Sequence, residues 1–224
     1  MNKQGPNGIG WCDYTFNPIT GLCPEACWYC YARRMYRRFR LDEHLEFHVT
    51  RGEIAKMDRL RPSRIFICST MEMFHPSVEA LWRDRIFQTI EMFPKHTFII
   101  LTKRPELIDR PMPDNAWLGV SVTGNSMWEI YRTAALAKAK ARVKFVSFEP
   151  ILGEAWALSD MPLRADWIIA GRLAGHGKKH DPARPTIETI VEYGRVNGIP
   201  VFLKNNLKGI WPGPLIQEYP KETP

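Results

Sequence analysis

Short β-rich runs, each followed by a longer helical pattern, recur along the chain, and this alternation restricts the fold more than any other feature. Strands are read at Tyr14–Asn17, Arg64–Ser69, Thr97–Thr102, Trp117–Val122, Val143–Phe148, Trp167–Ala170 and Pro200–Leu203. Ile65-Phe66-Ile67-Cys68 and Phe98-Ile99-Ile100-Leu101 are continuously apolar rather than alternating. Such runs fit parallel strands covered on both faces. Between strands, Ser77 to Phe93 sets Val78, Leu81, Trp82, Ile86, Ile90 and Phe93 on one helical stripe. Asn125 to Lys140 is alanine-rich with a basic end. Thr186 to Asn197 opens on a capping-type threonine and is followed by Gly198, a suitable residue just past a helix end. The expected fold class is α/β: a parallel (β/α) barrel, whole or partial, of roughly six to eight strands. No Pro/Gly/Ser-rich linker divides it, so residues 1–224 are read as one domain.

A chain of this length that is 45% hydrophobic can build a core without disulfides. No apolar run approaches the length of a membrane span. Met1 to Gly10 is polar and lacks the apolar centre of a secretory signal, so a cytoplasmic protein with no membrane partner is expected. The charge balance, 31 Lys+Arg against 24 Asp+Glu for a net +7, favours an anionic partner without identifying one.

The five cysteines are Cys12, Cys23, Cys27, Cys30 and Cys68. An odd number with three crowded together is a poor disulfide framework and points to metal or redox chemistry. The crowded three read Cys23-Pro-Glu-Ala-Cys27-Trp-Tyr-Cys30, spacing C-x3-C-x2-C. Three thiolates from one turn can each bind one iron of a cubane cluster and leave the fourth iron open to a small molecule. Zinc is the rival, and its fourth ligand would come from Cys12, Cys68, His44 or His48.

C-x3-C-x2-C with Tyr29 before the third cysteine resembles the radical S-adenosylmethionine superfamily, whose motif follows the first strand of a (β/α) barrel. Asn17-Pro18-Ile19-Thr20-Gly21, Leu101-Thr102-Lys103-Arg104-Pro105, Phe148-Glu149-Pro150-Ile151-Leu152-Gly153 and Val201-Phe202-Leu203-Lys204 look like a phage-associated family of small barrel proteins of this type. The resemblance implies a [4Fe-4S] cluster on Cys23, Cys27 and Cys30, with S-adenosylmethionine on the open iron. It implies an external electron donor and a 5′-deoxyadenosyl radical that takes a hydrogen from a substrate. The chain departs from the superfamily pattern after the second strand, where Glu72 stands without the usual glycines. It departs again at Leu22, which separates Gly21 from the first cysteine.

Polar residues gather at the C-terminal strand ends, where barrels place their chemistry. Glu72 and Glu149 are candidates to bind the cofactor's ammonium or ribose hydroxyls, or else to pair with Lys103 or Lys204 across the rim. Lys103, Arg104 and Lys204 suit the cofactor carboxylate or an anionic substrate. Ser121 and Thr123 are candidates for the ribose. Trp28, Tyr29 and Tyr31 are read as shielding the cluster, as core, or as both. Tyr31 to Arg40 carries five arginines and no acid, with Arg33/Arg37 and Arg34/Arg38 each sharing a helix face. That helix either binds nucleic acid phosphate, or is solvated or paired with Asp42, Glu43 and Glu46. Gly171 to Arg184 is read as a loop over the mouth, with His176 and His180 facing solvent. The small size predicts that a large substrate, nucleic acid or a partner protein closes the mouth. The alternative to an enzyme is a nucleic-acid-binding module stabilised by zinc or by a non-catalytic cluster.

Overall fold

The computed structural model describes residues 1–5, 8–155 and 164–221. Its main sheet has eight strands: β1 (Asn2–Lys3), β2 (Tyr14–Phe16), β5 (Arg64–Ile67), β6 (Thr97–Thr102), β7 (Ala116–Val122), β8 (Val143–Phe148), β9 (Trp167–Ala170) and β10 (Val201–Leu203), in that spatial order. β2 through β10 run parallel, and β1 pairs antiparallel with β2. β10 is not bonded to β2, so the structure is a partial (β/α) barrel. A separate hairpin of β3 (Ile19–Thr20) and β4 (Glu46–Phe47) brackets the cysteine loop and helix α1 (Tyr31–Phe39). The remaining helices are α2 (Arg51–Arg59), α3 (Ala80–Met92), α4 (Ile130–Lys138) and α5 (Arg184–Asn197).

All seven strands read from the sequence are present, because each is a run that burial on two faces requires. One face meets the helices: Ile65, Ile67, Phe98, Ile100, Leu118, Val120, Val146 and Ile168 join Met57, Ile86, Ile90, Leu136, Ile187 and Ile190. The other face is the barrel interior. Phe66, Ile99, Trp117, Phe145, Trp167, Ile169 and Phe202 form its lower layer around Trp11. Trp11 is 1% exposed, and its ring lies 4.7 Å from Phe66, 6.5 Å from Phe145 and 6.3 Å from Trp167. It thus reaches from β5 to β9 and closes the interior below. Gly119 makes this layer possible: a Cβ there would sit 2.3 Å from the Phe145 ring.

The helices depart from expectation at their starts. α3 begins at Ala80, not Ser77, and buries Ile86, Phe87, Thr89 and Ile90. Val78 is buried in the preceding turn, while Leu81 falls off the buried face and is 54% exposed. α5 begins at Arg184 with Pro185 in its first turn, so Thr186 lies inside the helix rather than capping it. Gly198 does end α5 in a left-handed conformation at φ +66. α4 starts at Ile130 after a 3-10 turn at Met127–Glu129. α2 carries a capping box between Thr50 and Glu53 that sequence reading passed over. No helix among the described residues is long and apolar enough to cross a membrane.

If Trp11 closes the interior, Trp11→Ala should cost ~3–5 kcal/mol of unfolding free energy in urea titrations. Leu81→Ala should change it by less than ~0.5 kcal/mol. Similar losses in the two variants would contradict this packing.

Candidate active site

Side chains two residues beyond the aromatic layer point into the upper interior, because successive strand residues alternate faces. These positions are Ser121 on β7, Ser147 on β8, and Lys204 following Phe202 at the end of β10. Ser121 and Ser147 lie opposite each other in the β7–β8 register. Both are buried, and the Ser147 hydroxyl has no partner among the described residues. Gly171 follows Ile169 and leaves room for the Lys204 stem, which a Cβ there would meet at 2.9 Å. The interior therefore changes from aromatic to polar within one layer as it reaches the C-terminal mouth.

The five residues expected to contact the cofactor lie at that mouth in two groups. Glu72 is 6% exposed, and its carboxylate accepts from Thr102 Oγ1 at 2.6 Å, Lys103 N at 2.7 Å and Phe74 N at 3.2 Å. Burial pushes its carboxyl above the ordinary range against these donors. Lys103 extends its Nζ to Ser121 Oγ at 3.1 Å. In the second group, Lys204 Nζ is ion-paired and hydrogen-bonded to Glu149 Oε1. The cross-rim pairing considered for Glu149 is thus what the structure contains. Thr123 turns away from the mouth and donates to Glu129 Oε1 at 3.0 Å. Glu129 also accepts from Thr123 N and Gly124 N, a buried role that no sequence motif signalled.

The cysteine loop lies over this rim. Gly21 opens it at φ +103, where a Cβ would sit 2.3 Å from His44 O, so a glycine is needed for the close approach. Ala26 turns the chain between Cys23 and Cys27 in the left-handed region, at φ 54. Three contacts latch the loop: Arg104 Nε to Glu25 Oε2 at 2.8 Å, Arg33 to the Cys23 carbonyl at 2.8 Å, and Glu72 N to Cys23 Sγ at 3.3 Å. Cys30 is the N-cap residue of α1 and makes no side-chain cap bond, so its sulfur stands at the positive end of the helix. Glu25 was not singled out from sequence, and its only signal was a charge inside the cysteine motif.

The five thiols divide clearly. Cys23, Cys27 and Cys30 are free and partly exposed, whereas Cys12 and Cys68 are free and buried. Burial pushes the Cys12 thiol up to about 12 and the Cys68 thiol upward as well, and it also raises Cys23, the most enclosed of the loop thiols. Among the described residues, no group of three or more His, Cys, Asp or Glu side chains is gathered closely enough to hold a metal ion. By donor type the three loop thiols suit an iron–sulfur cluster: none is in a disulfide, Cys23 accepts a backbone N–H, Cys27 is hydrogen-bonded with the Tyr29 hydroxyl, and Cys30 stands at a helix N-terminus.

Around the loop, Trp28 and Tyr31 are 57% and 51% exposed, so they are not core. Trp28 packs on His176 and His180 at ring distances of 5.6 and 5.3 Å. Both histidines are therefore partly covered, not solvent-facing as expected. Arg34 donates to the carbonyls of Gly175 and Ala174 at 2.7 and 3.0 Å, tying the 171–184 segment to α1. A cleft of about 330 Å³ bounded by Glu25, Lys103, Arg104, Glu106, Trp128 and Arg132 opens beside the loop. A larger one of about 460 Å³ lies around Met112 and Arg142, near the N-terminal strand ends and away from these residues.

A family profile described as "Protein of unknown function (DUF5131)" matches residues 6–212. No curated protein matches the chain. Among solved structures, a cysteine-to-serine mutant of spore photoproduct lyase aligns at TM-score 0.51 and 15% identity, covering 71% of this chain and 56% of that one. A double mutant of spore photoproduct lyase with bound AdoMet and dinucleoside spore photoproduct aligns at TM-score 0.51 and 14% identity, covering 81% and 61%. The chain thus spans about three fifths of the length of these structures, and at such identities the likeness is one of fold.

The thiol division predicts an alkaline stability loss. The unfolded chain ionises Cys12 first as pH rises, so stability falls from the ordinary thiol range toward about 12. In denaturant titrations, Cys12→Ala should flatten this fall. In native metal-free protein, iodoacetamide should label Cys27 and Cys30 before Cys12 or Cys68. Early labelling of Cys12 would contradict the burial argument.

Proposed function

The chain belongs to the DUF5131 family, and we propose that it is a radical S-adenosylmethionine-type enzyme with a [4Fe-4S] cluster on Cys23, Cys27 and Cys30. The observation that carries this reading is the placement of three free thiols on one latched loop over the polar mouth of a partial barrel, with the other two cysteines buried elsewhere. The sequence resemblance supports it, as does the shared fold with a structure that holds AdoMet.

When bound, cluster and nucleoside cofactor supply one-electron cleavage of a sulfonium carbon–sulfur bond, yielding a 5′-deoxyadenosyl radical. The chain's own residues bind and orient. Cys23, Cys27 and Cys30 would hold the cluster through their thiolates. Lys103 or Lys204 takes the cofactor carboxylate, and Glu72 or Glu149 its ammonium or ribose hydroxyls. Ser121 serves the ribose from the interior face. The aromatic layer around Trp11 excludes water from below. Cytoplasmic reducing conditions and an external electron donor belong to this reading, because the thiols must stay reduced and the cleavage consumes an electron.

The test is anaerobic reconstitution with iron and sulfide, followed by metal analysis and a cleavage assay. Iron matched by sulfide, brown colour, and 5′-deoxyadenosine released on reduction are expected. Cys27→Ala should lose the cluster and Cys12→Ala should keep it. Zinc without cleavage would leave a binding module instead, and equal loss in both variants would mean the ligands are misassigned.

A further inference from the structure

The +7 charge of the chain is not spent at the mouth, where Lys204 pairs with Glu149, Arg104 pairs with Glu25, and Lys103 lies beside Glu72. It collects on α1. Of the five arginines between Tyr31 and Arg40, Arg33 and Arg34 serve as latches. Arg37, Arg38 and Arg40 are exposed and make no side-chain hydrogen bond or ion pair among the described residues, although Asp42, Glu43 and Glu46 follow closely. The one ring contact is Arg38 over Phe39 at 5.4 Å. Arg34 then fastens a second basic stretch beside the first: its hydrogen bonds to Ala174 and Gly175 hold the segment that carries the exposed Lys178 and Lys179. Between these stretches and the cysteines, Trp28 and Tyr31 keep more than half of their surface free.

We propose that Arg37, Arg38, Lys178 and Lys179, with the rings of Trp28 and Tyr31, form a docking surface for a single-stranded polynucleotide that leads to the cysteine loop. Arg37 shares its helix face with Arg33 and Arg38 with Arg34, and since the latching arginines bond only to carbonyls and stay charged, each pair repels and an anion relieves it. Spaced cations beside exposed rings match a strand that offers both phosphates and unpaired bases, and a duplex keeps its bases stacked on each other. A lipid surface is the rival occupant, because Phe39 and Leu41 stand exposed beside these arginines, but the continuous apolar face that would lie in a bilayer is interrupted, Ala32 and Tyr36 being buried in the protein. The surface rests on the reading of the cysteine loop as the reactive centre only in making the bound strand the substrate.

The test is fluorescence anisotropy of the full-length, cluster-loaded protein with labelled short single strands of DNA and of RNA of one mixed sequence, over a range of salt. Binding to at least one strand is expected, and the tighter one identifies the sugar. Replacing Arg37 and Arg38 by alanine should weaken binding and reduce the salt slope by ~0.7 for each arginine removed. Lys178→Ala with Lys179→Ala should act likewise. Arg184→Ala with Arg195→Ala, which removes the same charge from α5, should leave the slope unchanged. Equal loss in all three pairs, no binding to either strand, tighter binding to the matching duplex, or binding only to phosphatidylserine vesicles would overturn the proposal. Release of 5′-deoxyadenosine is followed in the same preparations without any strand. Its absence alongside intact strand binding overturns the cofactor reading and leaves this one standing.

Discussion

The interior of the barrel holds two incompatible environments one layer apart, and the rest of the molecule follows from keeping them separate. A parallel sheet covered by helices has one apolar face accounted for, and its concave face must also be filled. Trp11, Phe66, Phe145 and Trp167 fill the lower part with rings that meet edge-on or tilted. Strand alternation then places the next inward residues, Ser121, Ser147 and Lys204, above that plug. Polar groups so placed are sheltered by the strands around them but not sealed, since they face the C-terminal mouth. Gly119 and Gly171 serve this division from opposite sides, the first admitting the Phe145 ring and the second the Lys204 stem.

The cysteine loop has no regular secondary structure to fix it, so polar latches to neighbouring elements add to the packing of Cys23 on the core in setting its position. Glu25 ties it to the end of β6 through Arg104, Arg33 ties it to α1, and Glu72 holds Cys23 from the end of β5. Glu72 has the most demanding position. Its carboxylate joins the turn after β5 to the end of β6 while its own N–H reaches the sulfur. A buried carboxylate with three donors is costly to disturb, because removing it leaves those donors unpaired. The same residue that would meet a cofactor therefore also sets where the first thiol stands.

Much of this was legible beforehand, for physical reasons. The strands were readable because two-sided burial demands continuous apolar runs, and the loop was readable because clustered thiols have few uses. Helix starts were less legible. Thr186 looks like a cap, but Pro185 fits the first turn and moves the start back to Arg184. Leu81 matches the helical stripe by spacing, yet the helix phase is set by Ile86 and Ile90 against the sheet. The latches were least legible, since Arg34 and Gly175 lie far apart in sequence and nothing local announces their contact. The histidines were misread for the same reason: Trp28, which covers them, sits about as far away along the chain.

The placement of charge bears on how such a mouth could admit a polyanion. Were the surplus cations inside it, a strand would be drawn to the cofactor position and would compete with the cofactor's own carboxylate. Instead the rim carries near-equal numbers of acids and bases, with Lys204 and Arg104 already paired, and the exposed arginines nearest to it lie outside on α1. Long-range attraction then acts on the outer face, where screening by salt makes it reversible. At the rim itself Lys103 donates to Ser121, and on the proposed reading short-range hydrogen bonds from this pair select what is held. On the proposed reading, separating attraction from recognition in this way would let the chain take a large anionic partner and a small zwitterionic cofactor without either displacing the other.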